Sequence, residues 1–232
     1  MALPSVWSAF LGVVAIRKFG SAPLPLAEHL TALDSFEGAA LLRGAGARAG
    51  YAALERHYAP QIRPTFCGPA TMAILLNALH GARATGPRRL RPFDQRNVFT
   101  PEVERLRARK RVARLGMPLA VFGDALAAHG VAVDVHYVSD RDVDAFRCLA
   151  RDALATEGRY VAVNYHRPAL GQEGEGHISP LAAYSDEADR FLVLDVARSK
   201  YPPVWVATEM IHEAMSRPGG GRASRGFVTV GH

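Results

Sequence analysis

An α+β domain, helices first and an antiparallel sheet after them, is the fold class that this 232-residue sequence predicts. Three observations point to it. Apolar residues recur at helical spacing through the first two-thirds of the chain, short runs of β-branched and aromatic residues fill the last third, and two of those runs flank a single polar turn. With 49% hydrophobic and 22% charged residues, the chain can bury one core and has little left for a second.

The elements follow in order. Leu3 to Ile16 is an uncharged, mainly apolar run of 14 residues with Arg17 and Lys18 directly behind it. It is short for a bilayer span. A secretory signal carries its positive charge ahead of the apolar run, whereas here the charge follows, with the small residues Gly20, Ser21 and Ala22 next. Export to a bacterial periplasm and a cytoplasmic strap packed on the domain both stay open, and no stable membrane span is expected. Pro23 and Pro25 mark a linker, so residues 1–26 form an N-terminal segment and residues 27–232 a single domain.

Phe66 to Ala78 has helical periodicity behind Gly68 and Pro69, with Gly81 as a stop, so Cys67 opens a buried helix. Thr100-Pro101-Glu102 has the cap, proline and acid order of a helix start, running toward Gly116. Leu119 to His129 and Asp142 to Ala155 are two further helices. Cys148 sits inside the second of them beside Phe146 and Leu149, and reads as a core residue. Strands are expected at Val131 to Val138, Tyr160 to Tyr165, Ile178 to Tyr184 and Phe191 to Val196. The last two make a hairpin around Ser185 to Asp189. A helix from Thr208 to Met215, a glycine turn at 219–221 and a strand from Gly226 to Val230 complete the chain.

Net charge is +6, from 25 Arg and 3 Lys against 22 acids. Residues 88–114 alone hold ten basic and three acidic positions. A solvated face is the ordinary reading of such a run. Nucleic-acid binding is not expected, since no helix-turn-helix, zinc finger or RNA-binding aromatic motif accompanies it. Steering of anionic substrates by Arg105, Arg107 and Arg109 is the functional alternative.

Two cysteines, Cys67 and Cys148, give no disulfide framework. The nine histidines lack chelating spacing, so no dedicated metal site is expected.

One constellation could do chemistry. With the hairpin centred on Asp186, His177 and Asp195 lie nine residues to either side and face each other. An imidazole beside a carboxylate is the base and its orienter. Cys67, at a helix N-terminus near an imidazole, is placed for a thiol pKa lowered from about 8.5 to roughly 3.5–7.5. Gln61 could donate to a developing oxyanion alongside the Cys67 N–H. Each residue alone has a structural explanation, as core, cap or solvated loop. The chain order Gln, Cys, His, Asp is that of papain-like enzymes, in which a helical lobe carries the nucleophile and an antiparallel sheet carries His and Asp.

At these same positions the chain resembles the phytochelatin synthases. The stretch QIRPTFCGPATMAILLNAL from Gln61 is similar to that family's nucleophile segment, GHISPLAAY from Gly176 to its histidine segment, and LDVARSKYPPVWV from Leu194 to its aspartate segment. The resemblance implies Cys67 as nucleophile, His177 as general base and acid, Asp195 as orienter and Gln61 as oxyanion donor. It implies a thiolate that attacks the Cys–Gly peptide of glutathione, releases glycine and holds γ-glutamylcysteine as a thioester. A second glutathione then accepts that unit, and hydrolysis is the outcome if water does.

Arg198, Arg225, Tyr201 and Gly176 are the substrate-contacting candidates, with the two arginines suited to carboxylates. Lys200 either lines the cleft or braces it. No tightly bound cofactor is implied. A heavy-metal ion, Cd or Zn, would arrive as the glutathione thiolate complex. The partners implied are therefore glutathione and metal–glutathione complexes, with a homodimer left open. The resemblance is to short bacterial members that lack a cysteine-rich C-terminal region. Ser216-Arg217-Pro218-Gly219 stands where relatives usually offer an acid, so the γ-glutamyl amino group needs another partner. A non-catalytic metal or thiol-peptide binder is the alternative of a different class.

Overall fold

The computed structural model describes residues 23–83, 92–222 and 224–232. The apolar segment Leu3 to Ile16 and the cations Arg88, Arg89 and Arg91 lie outside the described residues.

The chain order is β1 (Thr31–Ala32), α1 (Phe36–Gly44), α2 (Tyr51–His57), α3 (Cys67–Arg83), α4 (Pro101–Leu106), α5 (Arg109–Leu115), α6 (Leu119–Ala127), β2 (Ala132–Tyr137), α7 (Val143–Ala155), β3 (Tyr160–His166), β4 (Gly176–Ser185), β5 (Arg190–Val193), β6 (Val204–Ala207), α8 (Thr208–Ser216) and β7 (Gly226–Gly231). All seven strands form one antiparallel sheet in the order β1-β6-β5-β4-β3-β7-β2. The α+β expectation stands.

Apolar side chains cover both faces of the sheet. On one face Leu75, Leu76 and Leu79 of α3 and Phe122 and Leu126 of α6 pack against Ala162, Ile178, Leu192 and Val228. On the other, Phe146 and Leu154 of α7 and Ile211 and Met215 of α8 meet Val163, Leu181, Val193 and Phe227. This two-sided burial explains why β3 and β4 read as nearly continuous apolar runs rather than alternating ones.

The structure corrects several sequence expectations. Helix α3 runs through Gly81 to Arg83 instead of stopping there. The single helix expected from Thr100 to Gly116 is two, α4 and α5, broken at Arg107, whose φ of −159° is extended. Val103 and Val112 explain the break. At about 100° per residue, nine positions of straight helix would set them on opposite faces, yet both are buried.

Cys148 is exposed rather than core. It lies two residues from both Phe146 and Ala150, which face inward, so the helical period turns it outward. The short edge strand β1, helices α1 and α2, and strand β6 were not expected from the sequence.

The hairpin register also differs. Tyr184 pairs with Phe191, which centres the turn between Glu187 and Ala188 instead of on Asp186. A bulge then places two residues of β4, around Ala182, against one of β5.

Candidate active site

Cys67 is the first residue of α3. Phe66 accepts the first helical bond from the Ala70 N–H, and Pro69 falls in the first turn, where a missing N–H costs nothing. The preceding loop is tied on two sides. The Gln61 N–H donates to the Val196 carbonyl at 2.8 Å, and the Thr65 hydroxyl donates to the Ala113 carbonyl at 3.0 Å. At Gly68 the backbone packs closely on the next segment, and an added Cβ would lie 3.2 Å from Cβ of Met117, which would have to give by a few tenths of an ångström.

Strand β4 is clamped on α3 one turn further along, where the Thr71 hydroxyl donates to the Ile178 carbonyl at 3.0 Å. Cys67 and Thr71 share a helix face by their four-residue spacing. His177, next to Ile178, thereby comes near the thiol and draws its pKa down. The N–H groups of Ile178 and Gly68 also reach the sulfur.

His177 is buried, with its ring edge-on to Tyr165 at 5.6 Å between centroids. Its Nε2 lies 2.9 Å from Oδ1 of Asp195, which leaves Nδ1 as the ring nitrogen for the thiol. Two features bring Asp195 there. The bulge at Ala182 shifts the β4/β5 register by one, and carried past Val193 that register sets Asp195 across from Ser179, on the side of the sheet that His177 occupies. Pro180 then ends the ladder. Its carbonyl accepts from the Leu194 N–H at 3.0 Å, but it has no N–H to return, so the chain peels away at Asp195.

The sequence did not reveal Arg167. This buried arginine donates from one end of its fork to Asp195 Oδ1 at 2.7 Å and from the other to Gln172 Oε1 at 2.8 Å. The Ala197 N–H donates to the same Oδ1 at 2.8 Å. Nothing in the spacing of Arg167-Pro168 signals this, because the contact is made across 28 residues. Tyr58 was also missed. Its hydroxyl donates to the Asp195 carbonyl, and Arg198 stacks over its ring at 4.7 Å.

The electrostatics follow from these contacts. Burial pushes the Cys67 thiol up, but the hydrogen bond and charge of His177 and the two N–H groups on sulfur outweigh it, so the thiol lies below its ordinary value. For His177, burial and the Arg167 charge pull downward, and the charge and hydrogen bond of Asp195 prevail, holding the imidazole above its usual range. Asp195 would be raised by its burial, yet His177 and Arg167 hold it well below the carboxylate range. The arrangement favours a thiolate beside an imidazolium that a fixed carboxylate orients.

The other candidates are placed as follows. Gln61 Nε2 donates to the carbonyls of Arg63 and Pro64 at 2.8 and 2.9 Å, which uses both amide hydrogens within its own loop, and its Oε1 is buried with no partner. Tyr201 is buried, its hydroxyl accepts from the Glu173 N–H at 2.7 Å, and its ring lies under Arg167, so it braces the 167–173 loop. Gly176 is exposed, and an added Cβ there would come within 2.7 Å of Arg225 Nη1. Arg225 and Asn164 line one recess of about 30 Å³ between the start of α6 and the 219–225 turn. In it, Asn164 Oδ1 and Arg225 Nε are buried without hydrogen-bond partners.

Among the described residues no group of three or more His, Cys, Asp or Glu side chains could hold a metal ion, and no helix is long and apolar enough to cross a membrane.

The chain matches the family model for phytochelatin synthase over residues 21–227. It is 33% identical over 177 residues to glutathione gamma-glutamylcysteinyltransferase 3 of Lotus japonicus, covering 75% of this chain and 35% of that protein. It is 33% identical over 176 residues to glutathione gamma-glutamylcysteinyltransferase 1 of Arabidopsis thaliana, covering 73% and 34%. To the glutathione gamma-glutamylcysteinyltransferase of Schizosaccharomyces pombe it is 30% identical over 170 residues, covering 73% and 40%. The chain thus spans well under half the length of the curated relatives it matches.

Proposed function

The chain belongs to the phytochelatin synthase family, and from that premise we propose that residues 27–232 act as one catalytic domain transferring γ-glutamylcysteine from glutathione to an acceptor through a thioester on Cys67. The observation that carries the reading is a Cys67 thiol whose pKa His177 lowers, with His177 in turn held 2.9 Å from Asp195. A protein that merely bound thiol peptides would have no use for a depressed thiol beside a carboxylate-oriented imidazole. A nucleophile at a helix N-terminus, with His and Asp on an antiparallel sheet in that chain order, supports a papain-like arrangement.

In this reading the Cys67 thiolate attacks the carbonyl carbon of the Cys–Gly peptide. The oxyanion is taken by the N–H of Cys67 and by Gln61 Nε2 once that amide releases one of its loop carbonyls. His177 gives its proton to the departing glycine amine, leaving the thioester and a neutral imidazole. The α-amine of the acceptor then attacks the thioester, forming a C–N bond as the C–S bond breaks. Its proton passes to His177, and Cys67 returns as thiolate. Arg167 keeps Asp195 fixed throughout.

Arg225 suits the α-carboxylate of the γ-glutamyl group. Asn164, as a buried acceptor without a partner in the same recess, suits its ammonium, the role left open by Ser216 to Gly219. Arg198, exposed and stacked on Tyr58, is available to a second carboxylate. Cadmium or zinc enters as a glutathione thiolate complex, and is substrate rather than cofactor.

The test is to incubate the protein with glutathione, with and without cadmium, and to quantify glycine and peptide products. Glycine with (γ-Glu-Cys)n-Gly establishes the transferase, and glycine with γ-glutamylcysteine alone establishes a hydrolase working through the same acyl-enzyme. No glycine under either condition refutes both.

A further inference from the structure

A groove of about 720 Å³ lies between α5 and the loop that leads into Cys67, and five cations line it: Arg63, Arg96, Arg109, Lys110 and Arg114. Phe66, immediately before the nucleophile, is part of its wall, so one end of the groove lies a single residue from Cys67, about 3.8 Å along the chain. The Asn164–Arg225 recess flanks the start of α6 instead. The two spaces share no lining residue, and the Gly116-Met117 segment that joins α5 to α6 packs on Gly68.

Positive charge is in excess in this groove, which five cations and no acid line. The ion pairs of Arg105, Arg147, Arg151, Arg167 and Arg217 among the described residues involve other cations than these five. The nearest acids in sequence direct oxygens to backbone N–H groups, Glu104 to Arg109 and Asp94 to Arg96 and Asn97. The cations expected from the sequence to steer substrate are mostly engaged elsewhere. Arg105 pairs with Glu102 at 2.9 Å, and Arg107 Nε donates to the Gly116 carbonyl at 2.8 Å. Only Arg109 of that trio faces the groove.

Five cations in a concavity large enough for a tripeptide, beside a nucleophile and separate from the recess assigned to the donor, fit a carboxylate-rich ligand. We propose that this groove is the acceptor subsite, which holds the carboxylates of an incoming anionic thiol peptide, free or as its metal thiolate complex, while the α-amine reaches the thioester. The inference rests on the acyl-transfer reading of Cys67. It gives the groove an effect on the second half-reaction and none on the first, since glycine leaves before the acceptor is needed.

The experiment counts both half-reactions with glutathione as the probe. The first-turnover burst of glycine, up to one equivalent per enzyme, measures acylation, and steady-state (γ-Glu-Cys)2-Gly measures transfer, each as a function of glutathione concentration at low and high salt. The proteins compared are the unaltered chain, the combined Arg96→Gln, Arg109→Gln and Arg114→Gln variant, and an Arg105→Gln control. The expected result is that the triple variant needs about tenfold more glutathione for half-maximal transfer at low salt and less of an increase at high salt. The first-turnover glycine burst and the melting temperature stay unchanged, and the control behaves as the unaltered chain. An unchanged transfer profile with a normal glycine burst overturns the subsite alone, as does a loss of the burst equal to the loss of transfer. No glycine from the unaltered chain overturns the acyl-enzyme reading beneath it.

Discussion

Asp195 and His177 meet on one side of the sheet because β4 carries one residue more than β5 at Ala182. Without that bulge the observed turn would put Asp195 opposite Pro180 and leave His177 on the other face. With it, Oδ1 and Nε2 lie 2.9 Å apart. Asp195→Asn removes the charge that favours imidazolium and the acceptor that fixes the tautomer. The expected outcome is a loss of kcat on the order of 10²-fold or more with little change in KM, measured by glycine release. A kcat within a factor of about two of the unaltered chain would remove Asp195 from the account.

The reactivity of Cys67 gives a second outcome to check. Because His177 and the sulfur-facing N–H groups outweigh burial, alkylation by iodoacetamide should rise with pH through a midpoint below the roughly 8.5 of a free thiol. In His177→Ala only burial and the two N–H groups remain, so the midpoint should move upward. Identical midpoints in the two proteins would show that the imidazole does not set the thiol.

Arg167 and Asp195 are an ion pair with side chains 4% and 0% exposed. Removing one partner of a buried pair strands the other, so Arg167→Ala should cost ~3–5 kcal/mol in denaturant unfolding near pH 6. The pH dependence follows from the signs. The depressed Asp195 contributes stability that is present above its unfolded value of about 3.9 and is lost as pH falls through its lower folded value. The raised His177 contributes stability that is present below about 6.5 and is lost as pH rises through its higher folded value. The pair therefore stabilises most between about pH 4 and 6.5, and Asp195→Asn should flatten both edges of that window. A stability profile with the same edges in the variant would contradict this.

The donor recess proposed at Arg225 and Asn164 predicts that recognition separates from chemistry. Arg225→Met and Asn164→Leu should each raise KM for glutathione by about tenfold, the equivalent of ~1.4 kcal/mol, with alkylation of Cys67 unchanged. An unchanged KM in both variants would move the γ-glutamyl group out of the recess.

Much of this was legible in the sequence, for reasons that particular residues make plain. The apolar period from Phe66 and the Gly68-Pro69 start announced α3. The β-branched runs at 160–165 and 178–184 announced the central strands, and the order of Cys67, His177 and Asp195 pointed to the candidate site. The turn centre was misplaced, yet the two candidates still met, because the bulge compensated a shift that no local signal encodes. Arg167 and Tyr58 reach Asp195 across 28 and 137 residues, and such pairings leave no periodicity to read. The broken helix at Arg107 and the exposed Cys148 are tertiary outcomes, decided by which face meets the core.

The most direct measurement is the intact mass of the protein quenched in acid shortly after mixing with glutathione, beside Cys67→Ala. The account predicts a species heavier by one γ-glutamylcysteine less one water, accompanied by an equal amount of glycine, with both absent in the variant. The same adduct on Cys67→Ala, or glycine released with no dependence on Cys67, would contradict the thioester at the centre of the account.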